Sequence, residues 1–444
     1  MSANQRRRGC TRRDLAFALV LLLAGGSYAA AQQATAPSTA RARANGLDTV
    51  RAGRYDGGKM WPFEYPPSAY FTQTYGFQAD AGWFERARLG ALRTAGCSAA
   101  FVSQSGLVIT NHHCARGGIL EVQKAGEHLL DTGFFASSLA EERRLPRFWV
   151  EQLIAVHDVS DEVFRALEGV SGDSLRGATR ERSFAAIRQR MQAQYAGSAG
   201  GAATIEPEIV ALYHGGRYSA YVFKRYTDVR LVAAPEEQMG FFGGDPDNYT
   251  YPRYDLDFSL LRVYDGNGKP IVTASYFRFS PTGVRQGDAV FVIGNPGPTS
   301  RGLTLAQLEF QRDVELPPRV AALRSRLAAL RAELGRQPTG PVADQLRNSI
   351  FGISNALKGL DGGLSALHDP LVMARRADAE KQFRAAIQQK PELSARYAGL
   401  FDQIEALQRE KARLAPSYAA FAGLMNTPTG AVMDRALQAI RLLG

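Results

Sequence analysis

Cysteine is scarce in this chain, with three among 444 residues. Long apolar runs are scarce as well, and the N-terminal run LAFALVLLLAGG at 15–26 is too short to span a bilayer comfortably. Apolar residues make up 45% of the chain and charged residues 22%, which is typical of a globular protein rather than a disordered or membrane protein. The length allows two or three domains with a large core.

Apart from the five arginines at positions 6–8, 12 and 13, dense basic blocks are also missing. The remaining positive excess of the formal net charge of +10 is spread along the chain, so the sequence does not predict a nucleic-acid partner. A nucleotide-binding loop is not predicted either. GNPGPTSR at 294–301 follows a predicted strand, AVFVI at 289–293, but it lacks the Gly-Lys-Ser/Thr ending of a phosphate loop.

The N-terminus has the features of a targeting segment. A group of arginines precedes the apolar run, and Ala29-Ala30-Ala31 offers a small-residue cleavage site. We predict a signal peptide at 1–31 with cleavage near Ala31, then a linker at 32–54. The mature protein is expected to be periplasmic or secreted, touching the membrane only during export. The twin arginine of TRRDLAF leaves Sec and Tat export open.

Cleavage would remove Cys10 and leave Cys97 and Cys114. In an oxidising compartment two remaining cysteines most simply form a disulfide. They flank two β-rich runs, CSAAFVS and GLVIT, which the turn QSG joins into a predicted hairpin. The bridge would hold His113 rigidly at the end of the second strand.

The NHHC segment at 111–114 has two other interpretations. One is a surface histidine pair beside a structural disulfide. The other is a zinc site, which the sequence disfavours because no further histidine or cysteine lies at ligand spacing. We therefore predict no metal.

A second group of residues, FFGGDPDNYTYPRYDLDFSLLRVY at 241–264, ends in a predicted strand with acids before it. An aspartate at the start of one strand can orient a histidine base at the end of another. Asp257 is the best candidate, and Asp255 is the second choice. Asp245 and Asp247 fit better as turn residues in GGDPDN.

This assignment makes a geometric prediction. We expect Nδ1 of His113 to face the Asp257 carboxylate, because the histidine next to the bridged cysteine is held rigidly. His112 is expected to point elsewhere.

Four segments, TNHHC, KRYTDVRLV (224–232), the block at 241–264 and VFVIGNPGPTSR (290–301), resemble the bacterial dipeptidyl-peptidase 7/11 family. Members of that family are exported, chymotrypsin-like serine exopeptidases that remove dipeptides from peptide N-termini. The resemblance runs from about residue 55 to beyond 370. It implies peptide substrates, no metal or organic cofactor, and a homodimer for the full-length protein.

The resemblance also implies roles for individual residues. His113 would be the general base and Asp257 its partner. Asn248 and Tyr249 would lie where the family anchors the free α-amino group of the substrate, and Asn355 in GISNALKGL is a further candidate for that role.

The family nucleophile lies in a turn of Gly-Asn-Ser-Gly-Ser type, which this sequence does not contain. Ser174 in SGDSLRG is the nearest candidate. It lacks a following glycine, lies in a helical pattern, and precedes Asp257 against the His, Asp, Ser order of this architecture. We therefore do not expect it to be catalytic.

The predicted fold is α+β. A chymotrypsin-like half-barrel occupies 55–301 with a helical insertion near 160–195, and an α-helical domain follows at 302–444, where periodicity is helical. The C-terminal half of the barrel is expected to be missing. The predicted function is a serine dipeptidyl-peptidase fragment that lacks its nucleophile and is inactive alone. The alternative is a non-catalytic binder of peptides with free N-termini.

Overall fold

The computed structural model describes residues 46–426 except 241, 243, 244, 246, 248, 298 and 340. The predicted signal peptide at 1–31 and most of the linker at 32–54 lie outside the described residues, as does Asn248. The described chain forms two compact units, one containing 46–56 and 366–400 and the other containing 57–365 and 401–426.

The strands of the second unit form an antiparallel sheet. Their bounds are β1 Ala91–Thr94, β2 Cys97–Phe101, β3 Leu107–Thr110, β4 Phe134–Phe135, β5 Arg143–Arg144, β6 Val150–Asp158, β7 Ala203–Leu212, β8 Arg217–Tyr226, β9 Val229–Ala234 and β10 Ser259–Val263. The order across the sheet is β4-β9-β10-β3-β2-β1-β6-β8-β7, and β5 also pairs with β9.

Helices lie between and after the strands. Their bounds are α1 Ser68–Tyr75, α2 Ala81–Gly90, α3 His112–Glu121, α4 Leu129–Thr132, α5 Ser160–Leu167, α6 Asp173–Tyr195, α7 Glu237–Gly240, α8 Leu305–Phe310, α9 Leu316–Arg336, α10 Pro341–His368, α11 Pro370–Gln388, α12 Pro391–Tyr397 and α13 Leu400–Asn426. A π-helical turn, Gln311–Glu315, joins α8 to α9. The expected combination of an antiparallel sheet and helices is therefore present.

The predicted hairpin is confirmed as β2 and β3, in which Phe101 pairs with Val108. Its turn requires a glycine at 106 for two reasons. The φ of Gly106 is +66°, and a Cβ there would lie 2.8 Å from Ile271 Cγ1 and 3.0 Å from the Val263 carbonyl oxygen. Val263 is the last residue of β10. The missing side chain at position 106 therefore also leaves room for the strand next to the hairpin.

The inward residues of the central strands form the main core. Alternation along β9 and β10 buries Val229, Leu231, Leu261 and Val263 beside Phe101. Strands of this composition favour a pleated surface that is covered on one face. This buried face fixes the register of β10, and hence the position of the residues just before it.

Two of the helices, α5 and α6, occupy the segment predicted to be a helical insertion. Val163 of α5 and Ile187 of α6 pack on Ala220 and Val222 of β8, forming a second buried cluster. The helices after residue 302 agree with the helical periodicity of the sequence, and Thr304 and Gln307 form a capping box at the start of α8. None of the helices in the described part of the chain has the length and apolar character that crossing a bilayer requires.

The predicted strand at 289–293 is wrong. Among the described residues of 271–303 no strand is found, and Val290 and Val292 are 68% and 100% exposed. Phe291 is held by aromatic contacts instead, with its ring centroid 4.9 Å from that of Phe71 and 5.0 Å from that of Phe77. The apolar pattern of this segment is that of a strand, but a strand also needs a paired backbone.

Candidate active site

The pairing of β3 with β10 brings two distant parts of the sequence together. Thr110, the last residue of β3, lies opposite Ser259, the first residue of β10. In an antiparallel pair, the residues that follow one strand meet those that precede the other. Residues 111–113 therefore lie beside Asp257.

The predicted contact between His113 and Asp257 is present. Nδ1 of His113 lies 2.8 Å from Oδ2 of Asp257, and the His113 backbone N–H donates to Oδ1 at 3.1 Å. The Asn111 amide also donates, to Oδ2 at 3.1 Å and to the Asp257 carbonyl oxygen at 3.2 Å. If Nδ1–H is the donor, the lone pair is on Nε2, which is the tautomer that a general base requires. The catalytic role of the pair stays a prediction.

The carboxylate is more buried than the imidazole. The Asp257 side chain is 8% exposed, whereas that of His113 is 28% exposed and is accessible from the surface. Burial alone raises the pKa of the Asp257 carboxyl, but hydrogen bonds from the His113 side chain and backbone and from Asn111 outweigh it and hold this pKa below its ordinary value. Asp257 is thus an anion at neutral pH, able to orient the ring and to stabilise an imidazolium.

This pKa shift predicts how stability depends on pH. An aspartate whose pKa is lower in the folded state stabilises the fold above its unfolded pKa of about 3.9, and this contribution is lost as pH falls through the folded value. We expect Asp257→Asn to lower the free energy of unfolding at pH 7 by about 1–3 kcal/mol, since charge-assisted hydrogen bonds are lost. Urea unfolding at pH 7, 5, 4 and 3 should show the difference shrinking below about pH 4.

The matched control for this prediction is Asp255→Asn. Its carboxylate pairs with Arg253 at 3.2 Å, so it tests a neighbouring acid in the same segment. Equal stability of Asp257→Asn and the parent at pH 7 would contradict the prediction. So would a difference that is unchanged at pH 3.

The disulfide between Cys97 and Cys114 is confirmed, with a sequence separation of 17 residues. It joins the first residue of β2 to the first turn of α3, directly after His113. The site is therefore tied covalently on one side and by the β3–β10 pairing on the other.

His112 points elsewhere, as predicted. It is fully buried, and its ring packs on Gly240, where a Cβ would lie 2.7 Å from the ring carbons Cγ and Cδ2. Burial holds the pKa of His112 below its ordinary value, despite the nearby carboxylates of Asp257 and Glu237. The segment that packs on His112 also contacts the residue before Asp257. The Met239 carbonyl oxygen, next to Gly240, accepts a hydrogen bond from the Leu256 N–H at 2.7 Å.

Of the other acids of the block, Asp245 and Asp247 lie in a turn, as the sequence suggests, and Asp255 forms an ion pair. Oδ1 of Asp247 accepts from the Tyr249 N–H at 2.8 Å, which is an Asx-type turn contact. The Asp245 N–H donates to the Phe242 carbonyl oxygen at 3.1 Å within the same loop. Asp255, the second choice as partner of His113, forms the ion pair with Arg253.

The proposed amine-anchoring residues can be described in part, because Asn248 lies outside the described residues. Tyr249 is 56% exposed, and a Cβ at Gly359 of α10 would lie 3.2 Å from its hydroxyl oxygen. Asn355 lies four residues before Gly359, on the same face of α10. The structure therefore brings Tyr249 to the helix face that carries Asn355.

Two residues near the site were missed in the sequence. Asn111 holds Asp257 by hydrogen bonds. Its position directly after the second strand of the predicted hairpin could have indicated this role. Phe242 is buried, with its ring centroid 5.4 Å from that of His113 and a φ of +59°. A positive φ at an aromatic residue is uncommon and costs about 1–3 kcal/mol, and no sequence pattern predicts it.

Serine candidates lie elsewhere in the fold. Ser174 is the second residue of α6 and is exposed. Directly before that helix, the sequence Gly169-Val170-Ser171-Gly172 contains an exposed serine in a Gly-x-Ser-Gly setting. Both serines belong to the loop and helix that cover β8, and neither is in a Gly-Asn-Ser-Gly-Ser turn.

Comparison with known proteins identifies one family. The model of the family described as Peptidase S46 matches residues 55–442. The chain is 30% identical over 301 residues to dipeptidyl-peptidase 7 of Phocaeicola vulgatus, covering 65% of this chain and 41% of that protein. It is 31% identical over 329 residues to the Asp/Glu-specific dipeptidyl-peptidase of Shewanella putrefaciens, covering 71% of this chain and 42% of that protein. The matches thus span less than half the length of these relatives.

Solved structures with a similar fold include Porphyromonas endodontalis DPP11. In complex with the dipeptide Arg-Glu, that protein matches with a TM-score of 0.65 at 24% identity, over 86% of this chain and 59% of the other. A second structure of the same protein matches with a TM-score of 0.59 at 26% identity, over 74% of this chain and 49% of the other.

Proposed function

Because the chain belongs to the peptidase S46 family, we propose that it carries the base and the orienting acid of a serine-type dipeptidyl-peptidase. The observation that supports this best is the contact between His113 Nδ1 and Asp257 Oδ2 at 2.8 Å, with Nε2 as the basic nitrogen. The curated relatives are named as dipeptidyl-peptidases, so the substrates proposed here are peptides with a free N-terminus.

In the proposed reaction His113 Nε2 accepts the proton of an attacking serine hydroxyl and later donates it to the leaving amine. Asp257 holds the ring in the required tautomer and stabilises the imidazolium, and the reaction passes through an acyl-enzyme. These steps need no metal or organic cofactor. Because the sequence contains no Gly-Asn-Ser-Gly-Ser turn, we propose that the serine is not supplied by these 444 residues and that the chain alone does not turn over.

The architecture proposed for this function is the N-terminal half of a chymotrypsin-like barrel at 55–301, with α5 and α6 as an insertion and a helical domain at 302–444. The likeness to DPP11 supports the fold. Export to the periplasm is part of the same proposal, supported by the N-terminal sequence and by a disulfide that oxidising conditions favour. A homodimer of the full-length protein also remains a proposal.

Release of dipeptides requires a device that measures distance from the end of the chain. An ammonium clamp does this, because it fixes the first residue relative to the base. Asn248, Tyr249 and Asn355 are proposed for the clamp, and the approach of the Tyr249 hydroxyl to Gly359 of α10 supports the proximity of Tyr249 and Asn355.

The clamp predicts that binding depends on the free amine. A hydrogen bond to a charged group contributes about 1.5–3 kcal/mol, so we expect a short peptide to bind at least about 10-fold more tightly than its N-acetylated form. Isothermal titration or fluorescence anisotropy with the purified chain measures this ratio. Asn355→Ala should reduce it.

The matched control is Asn348→Ala, which changes the same residue type at an exposed position of α10, two turns earlier. Equal affinity for the free and acetylated peptides would contradict the clamp. So would equal losses of the ratio in Asn355→Ala and Asn348→Ala.

A non-catalytic peptide binder is the second candidate, favoured by the absence of the nucleophile turn. It would keep the same preference for free N-termini. Reading the coding sequence beyond codon 444 separates the two proposals. An in-frame continuation with a Gly-x-Ser-Gly turn supports the peptidase, and a stop codon without such a sequence supports the binder.

A further inference from the structure

We propose that reduction of the disulfide turns Cys97, Cys114 and His113 into a three-ligand site for a borderline divalent metal such as Zn²⁺. This site goes beyond the proposed function and does not depend on it, because metal binding is measured without any peptide. In the oxidised chain both sulfur atoms are committed to each other, so the site exists only in the reduced state.

The three side chains are already grouped. One potential ligand atom from each lies within 4.8 Å of the other two. Zinc–sulfur bonds of about 2.3 Å and zinc–nitrogen bonds of about 2.0–2.1 Å place tetrahedral ligands roughly 3.3–3.8 Å apart. The Cα atoms of the two cysteines are 6.3 Å apart, so the sulfurs can separate by side-chain rotation while the backbone stays in place.

His113 also has a carboxylate partner, which is typical of a metal-binding histidine. Metal-bound histidines commonly donate their other ring N–H to a carboxylate, which fixes the tautomer and makes the ligand more basic. His113 has this arrangement, with Nδ1 facing Asp257 at 2.8 Å. We therefore assign Nε2 as the metal ligand. All three residues are partly exposed, so a metal ion can reach them and a water molecule can complete the coordination.

A phosphine can supply the two electrons that reduction of the disulfide requires. The phosphine gives two electrons to the disulfide and takes oxygen from one water molecule, which yields the phosphine oxide and two thiols. Binding of a divalent metal then releases the two thiol protons, because thiolates are the ligands. Once bound, the metal occupies the nitrogen that would act as the base, so a reduced, metal-loaded chain could not use His113 for proton transfer.

The test uses cobalt as a spectroscopic probe. The chain with Cys10→Ser is reduced anaerobically with a phosphine, desalted and titrated with Co²⁺, while the thiolate-to-cobalt charge-transfer absorbance is followed. We expect one bound metal per reduced chain, displaced by Zn²⁺, and no charge-transfer absorbance from the oxidised chain. We expect His113→Ala to weaken binding at least about 10-fold, while His128→Ala, which changes an exposed histidine outside the group, leaves it unchanged.

A second readout covers the case in which reduction alone loosens the fold. Zn²⁺ should raise the unfolding temperature of the reduced chain, or restore its folded circular dichroism spectrum, and His113→Ala should remove this effect. Three results would overturn the proposal: equal metal binding by the oxidised chain, no charge-transfer absorbance after reduction, or unchanged affinity in His113→Ala. A metal bound by the thiols alone gives the last of these.

Discussion

The purified chain is expected to release product from dipeptidyl fluorogenic substrates no faster than its own His113→Ala variant. In a serine peptidase the nucleophile and the base act as a unit, and in one well-studied example the loss of either costs about 10⁶ in turnover. The sequence lacks the turn that would carry the serine and its oxyanion-hole N–H groups. A panel with varied second residues, assayed with parent and variant at matched concentrations, measures the difference.

The controls for this assay are Ser171→Ala and Ser174→Ala, which remove the serines of the GVSGDS segment. Turnover by the parent that disappears in His113→Ala would contradict the expectation. If it also disappeared in one of the serine variants, that serine would be the nucleophile and the chain would be a complete enzyme.

Replacement of both bridged cysteines should have the largest effect on stability. The bridge closes a loop with a sequence separation of 17 residues, which is worth about 3 kcal/mol if its main effect is to restrict the unfolded chain. We expect Cys97→Ser with Cys114→Ser to lower the free energy of unfolding by about that amount, and the unfolding temperature by roughly 3–5 °C for a chain of this length. Urea and thermal unfolding measure both.

In the unprocessed 444-residue chain, which retains Cys10, Cys10→Ser is the matched control, because it removes a cysteine without breaking the bridge. Reduction of the parent chain should reproduce the loss seen in the double variant. If the double variant were as stable as the parent, or if Cys10→Ser had the same effect, the bridge would not stabilise the fold.

Much of the site could be predicted because its signals are local. The hairpin has alternating runs and a glycine turn, and the position of Asp257 directly before an alternating strand suggested a contact with the end of another strand. An antiparallel partner then brings the two strand ends together, as Ser259 and Thr110 do here. Choosing Asp257 over Asp255 therefore needed the strand pattern and the geometry of pairing.

The features that the sequence did not predict depend on contacts between residues that are far apart in the chain. The apolar run at 289–293 has the pattern of a strand, yet its backbone is not paired into a strand and Phe291 packs among aromatic rings. The left-handed conformation of Phe242 and the approach of Tyr249 to Gly359 result from tertiary contacts. Local pattern carries no information about any of these three features.

If Asp257 orients His113 as a general base, NMR of the ¹⁵N-histidine-labelled chain should detect the hydrogen bond between the two side chains. We expect a strongly downfield Nδ1–H proton signal that is lost in His113→Ala and in Asp257→Asn and is retained in Asp255→Asn. Absence of this signal from the parent, or its persistence in Asp257→Asn, would contradict the claim.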